Sequence, residues 1–171
     1  PTGIVTADGR TTEIDALVIE IAKMSGLSSD NDPQLNAEIT LYLEDLRVLM
    51  RTTSRLRGYA DNTLNTAFMD SGNLAEVETI YADTSTALTR IQENTSRLAK
   101  THPGHPLEPM IKTTSEDIGK ILQMVNEQLI EAYEDKMTWK DFHRVATDNL
   151  QALVKSADYI LERADSTVQA R

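Results

Sequence analysis

The chain has 171 residues, 40% of them hydrophobic, no cysteine and a formal net charge of −10. That length buries a core of its own, and the acidic balance argues against nucleic acid or an anionic bilayer surface as partner, since both demand clustered positive charge. No apolar run approaches the ~20 residues of a membrane span, no signal-peptide pattern occurs, and the lack of cysteine excludes a disulfide framework and thiolate chemistry.

Glycine and proline fall almost wholly in breaks at residues 2–9, 25–33, 70–72 and 101–109. Between the breaks the apolar spacing is helical. Ile14, Leu17, Val18 and Ile21 predict a short leading helix over residues 10–27. Asp32 and Pro33 then open the longest segment as N-cap and first helical residue. Its seam over residues 33–70 is Leu35, Ile39, Tyr42, Leu46, Leu49, Thr53, Leu56, Ala60, Thr63 and Ala67, alternating steps of four and three.

Asn73 with Glu76 has the form of a capping box and predicts a helix over 73–101, seamed by Leu74, Val77, Tyr81, Thr84, Leu88, Ile91, Thr95 and Leu98. The run THPGHPLEP breaks it. Leu107, Ile111, Thr114, Ile118, Ile121, Val125 and Ala132 predict a helix over 107–134. Thr138 with Asp141 opens the last one, over 138–170, whose stripe is Trp139, Phe142, Ala146, Leu150, Leu153, Ala157, Ile160 and Ala164. Almost no alternating strand pattern is present. The expected fold is all-α: one domain over residues 1–171, an antiparallel up-and-down four-helix bundle with a short extra N-terminal helix. At ~1.5 Å per residue such helices form a rod of roughly 40–55 Å.

The seams are not uniformly apolar. Thr53, Thr63, Thr84, Thr95 and Thr114 stand at core positions. Two readings stand side by side: hydroxyls bonded to their own preceding turn, letting helices approach closely, or a polar-lined cavity for a ligand between helices.

The stretch RVLMRTTSRLRGYA, Arg47 to Ala60, gathers arginines without an acid. Heptad phase puts Arg57 beside the seam, with Thr53 and Tyr59 flanking it, and sets Arg47, Arg51 and Arg55 on the outward face as a ridge. Like charges at four-residue steps repel by a few tenths of a kcal/mol per pair. Glu44, Asp45 or acids on adjacent helices could offset that, and so could a carboxylate ligand or a second subunit, which the arginine fork suits. Arg57, Thr53 and Tyr59 are the expected anion site, with Arg55, Arg51 and Arg47 as further candidates at a dimer face.

Other constellations offer little. His102 and His105 have metal-like spacing but lack a third ligand in the sequence nearby, and His143 reads as a lone surface imidazole. No Glu-x-x-His pair, haem-attachment motif, nucleophile elbow, P-loop or dinucleotide fingerprint occurs. The six methionines are scattered as core filler. No catalytic residue, metal or cofactor is expected. A small helical enzyme holding a dicarboxylate with arginines, of the chorismate-mutase type, is the enzymatic alternative; a structural bundle whose arginine ridge docks an acidic protein is the other.

Ser25-Gly26-Leu27, Asp32-Pro33 and Leu56-Arg57-Gly58, within MSGLSSDNDPQLNAEITLYLEDLRVLMRTTSRLRGYA, resemble a segment of the periplasmic sensory domains of bacterial methyl-accepting chemoreceptors. The final stretch DFHRVATDNLQALVKSADYILERADSTVQAR is similar to that family's last helix, which leads into the second membrane span. The aromatic pair common soon after Asp-Pro is missing, Tyr42 being the nearby aromatic. The resemblance implies a periplasmic domain of an inner-membrane chemoreceptor or related sensor, held between two flanking spans outside this chain. It implies a homodimer that binds a small anionic solute such as an organic acid or amino acid and passes a helix displacement inward. Such a ligand at micromolar affinity carries about 8 kcal/mol, enough for a bias of 1–3 kcal/mol between two helix arrangements.

Overall fold

The computed structural model describes residues 32–66, 71–131 and 138–169, and among them no strand occurs. The chain is all-helical, with four long helical segments packed in a bundle-like way around a shared core. The first is one continuous rod made of α1 (Pro33–Thr40), a π-helical stretch (Leu41–Leu46) and α2 (Arg47–Thr66). Next come α3 (Ser71–Thr101) and α4 (Leu107–Val125), which runs into a second π-helical stretch (Asn126–Ile130). The fourth is α5 (Trp139–Gln169). The leading helix expected over 10–27 lies outside the described residues, as do Ala67 and Ala132.

Local chemistry sets the starts. Asp32 Oδ1 accepts from the amides of Gln34 (2.9 Å) and Leu35 (3.2 Å) ahead of Pro33, as the sequence predicts. Thr138 and Asp141 form the expected reciprocal cap: the Asp141 amide donates to Thr138 Oγ1 (3.2 Å), and that hydroxyl donates to Asp141 Oδ2 (2.6 Å). The Asn73–Glu76 cap is corrected. The helix already runs at Ser71, and Glu76 instead takes an ion pair from Arg55 on α2. Between α3 and α4 the chain reverses through His102–Pro106, where Gly104 adopts φ +82°, a conformation that favours glycine.

Each long helix packs chiefly on two others: α2 on α3 and α5, and α4 on α3 and α5. Their seams meet in one apolar cluster containing Leu46, Leu49, Leu56, Ile80, Ile91, Ile111, Ile118, Phe142 and Leu153. Burial of each such side chain stabilises the fold by about 1.5–3 kcal/mol. A smaller cluster of Leu35, Ile39, Leu43 and Ala164 closes the end where α1 meets α5. Trp139, expected in the stripe of the last helix, is 38% exposed, because α5 has only just begun there and Phe142 is its first buried residue.

The π-helical stretch was not foreseen. Each added residue in such a turn advances the register by about 100°, so the faces before and after it no longer fall on one straight heptad. The buried set here becomes Leu35, Glu38, Ile39, Leu41, Leu43, Asp45, Leu46 and Leu49, while Tyr42 is only partly buried. Two carboxylates lie in the interior, Asp45 within the π-helical stretch and Glu38 one turn ahead of it.

Candidate functional site

The arginine stretch occupies one helix but does not converge on one site. Arg57 is partly buried, and its Nη1 donates to Thr147 Oγ1 on α5 (3.1 Å). Arg55 Nη2 pairs with Glu76 Oε1 on α3 (2.9 Å). Arg47, Arg51 and Arg55, the expected outward ridge, are partly buried rather than fully exposed, and none of the three is free of interactions. Tyr59 is 37% exposed and lines no interior. Thr53 is core, and its Oγ1 has no hydrogen-bond partner.

The remaining core hydroxyls divide. Thr63, Thr84 and Thr114 donate to the carbonyls of Tyr59 (2.9 Å), Ile80 (2.7 Å) and Met110 (2.9 Å), four residues back. For these the local reading of the sequence holds. Thr95 and Ser115, like Thr53, keep a buried hydroxyl without partner.

The strongest electrostatics lie where the sequence offered no signal. Glu38 of α1 is fully buried. Its Oε1 accepts from Gln34 Nε2 (3.0 Å) and His105 Nε2 (2.6 Å) and forms an ion pair with Arg163 Nη1 of α5 (3.0 Å), while Oε2 has no hydrogen-bond partner. The Leu107 amide donates to His105 Nδ1 (3.2 Å), which assigns the ring proton to Nε2, facing the carboxylate. Tyr159 stands edge-on to the imidazole, centroids 6.3 Å apart. Arg163 Nη2 also lies 3.6 Å from Asp32 Oδ2. One knot thus joins the start of α1, the α3–α4 turn and the end of α5. His105, met in the sequence as half of a metal-like pair, is a buried hydrogen-bonding partner.

Asp45, in the π-helical stretch, is the second buried carboxylate. Arg90 Nε reaches its Oδ1 (2.5 Å) and Asn94 Nδ2 its Oδ2 (2.5 Å), both from α3. Arg90 also donates to the Glu44 carbonyl. Asp45 therefore does not offset the arginines of its own helix, as the sequence allowed; its cation comes from across the interface. His143 is likewise not alone, since its Nδ1 lies 2.5 Å from Asp61 Oδ2 on α2.

One cleft is lined by Asp45. It measures ≈ 760 Å³ and opens between α1 with its π-helical stretch and the second half of α3, lined also by Asn36, Thr40, Glu44, Arg90, Asn94 and Arg97 over a floor including Ala37, Leu41 and Leu98. A neighbour of ≈ 400 Å³ shares Glu93 and Arg97 and extends to Lys100. A third of ≈ 300 Å³ lies between α3 and α4 at Thr95, Ile111 and Lys112. None of the three is lined by Arg57, Thr53 or Tyr59. Among the described residues no three His, Asp or Glu side chains gather as metal ligands, and no helix is long and apolar enough to cross a membrane. No family model matches the chain, and no curated protein or solved structure matches it.

Proposed function

We propose that this chain is the sensory input domain of a transmembrane receptor, of the chemoreceptor kind, which binds a small solute and passes a helix displacement across the membrane. The observation that carries this reading is the Arg163 contact to Glu38 and Asp32, which sets the start of the first described helix beside the end of the last. A domain held between two membrane spans needs those ends side by side.

The proposal includes the up-and-down antiparallel order. It is supported by cross-links that run in opposite senses: Asp45 to Arg90 but Arg55 to Glu76, and Glu38 to Arg163 but Asp61 to His143. It also includes a periplasmic setting, homodimerisation and the absence of catalysis. Val154 and Leu161, exposed seven residues apart on α5, support a place for the second subunit. The mechanism is a population shift. A solute that favours one packing of α1 against α3 biases α5 through the shared Glu38–Arg163 knot, and 1–3 kcal/mol of differential binding suffices.

The test is a chimaera in which the chain stands between two membrane spans ahead of a signalling module of known output. The reading predicts that at least one amino acid or organic acid in a panel changes that output. A chimaera that is inserted and helical, yet silent to the whole panel, would overturn it.

A further inference from the structure

The charges around the largest cleft fall into two groups. Arg90 and Asn94 are committed to the buried Asp45, and the remaining reach of Arg90 goes to the Glu44 carbonyl. On the rim stand Glu44, Glu93 and Arg97, all exposed, whose side chains form no hydrogen bond or ion pair among the described residues. Glu93 and Arg97 are four residues apart in the order that favours a helix ion pair, and yet they do not join. Both residues line the cleft.

We propose that this cleft binds a small zwitterion with a short aliphatic body, its carboxylate taken by Arg97 and its ammonium by the carboxylates of Glu44 and Glu93. An anion alone would meet Arg97 with two acids beside it, and a cation alone would meet the acids with Arg97 beside them. A solute bearing both groups gains from each. Ala37, Leu41 and Leu98 supply an apolar floor for the carbon chain, and Asn94 keeps its amide oxygen for a further donor. The inference deepens the sensory reading and rests on it for its consequence: Ala37 and Thr40 of the cleft flank Glu38, so occupancy bears directly on the knot that holds α5.

The experiment is titration calorimetry on the whole chain with matched five-carbon probes: L-norvaline and 5-aminopentanoate as zwitterions, cadaverine as the diamine and glutarate as the dianion. At least one zwitterion should bind at least tenfold more tightly than both singly signed probes. Arg97→Ala and the double change Glu44→Gln with Glu93→Gln should each weaken it at least tenfold. These side chains are exposed and unpartnered, so circular dichroism should show unchanged folding. Zwitterion binding that survives all of these changes, or is lost only in Arg57→Ala, would overturn the cleft while leaving the sensory reading intact. Preference for glutarate would overturn the zwitterion chemistry in the same way, and no binding of any probe would overturn the proposal outright.

Discussion

Along one continuous rod, residues 32–46 and 47–60 use charge differently. In the first segment Glu38 and Asp45 are buried, each tied to a cation on another helix, Arg163 or Arg90. In the second, four arginines with no acid among them stay partly open, with Arg55 and Arg57 reaching to opposite neighbours on α3 and α5. Helical geometry sends Arg55 and Arg57 to different neighbours, because residues two apart lie about 200° apart around the cylinder. A single carboxylate placed inward by a change of register has no water to fall back on, so its partner is fixed. Function is therefore argued from the quiet segment rather than the conspicuous one.

The largest expected effect breaks the quiet segment. Arg163→Ala removes the cation paired with the fully buried Glu38 and leaves it only the hydrogen bonds from Gln34 and His105, which costs about 3 kcal/mol or more. Thermal unfolding should then fall by roughly 6–12 °C at this chain length. Replacing Arg90 with Ala should cost somewhat less, about 2 kcal/mol, because Arg90 is itself half exposed and its charge is partly screened by solvent. Urea titration of both variants checks the order.

Cutting the conspicuous segment should do far less. Arg55→Ala removes a partly exposed ion pair and should cost under ~1 kcal/mol. Arg57→Ala removes a single hydrogen bond to Thr147 and should cost about the same. If either destabilises as much as Arg163→Ala, the contrast between the segments is wrong. The smallest effect has the opposite sign. Thr53→Val removes a buried hydroxyl that has no partner while keeping the shape, and should be neutral or stabilising by up to ~1 kcal/mol.

These comparisons also locate what the sequence made legible. Asp32-Pro33, the Thr138–Asp141 cap and the seams of α3 and α4 read directly, since caps and 3.6-residue periodicity are local properties. The π-helical stretch did not, because Leu41 to Leu46 reads as an ordinary apolar helix until its packing is seen. Glu38 stood off the predicted seam, between Leu35 and Ile39, and Asp45 stood beside Leu46 in the stretch whose register change was hidden. Their partners lie 125 and 45 residues away (163 − 38 and 90 − 45), which no local spacing announces. His105 illustrates the same limit: its sequence surroundings showed a helix break without a third metal ligand, yet its side chain is buried against Glu38. The cleft at Arg97 was equally silent, because its walls come from two helices.

The account stands or falls on whether solute binding moves α5 relative to α3. Nitroxide labels at the exposed positions Thr89 and Glu162, one on each helix, report that separation by pulsed electron resonance. Saturating zwitterion should shift the distance distribution by about 1–2 Å, the scale of helix shifts in switching proteins, and Arg163→Ala should abolish the shift while binding persists. A bound zwitterion with an unchanged distribution would contradict the account.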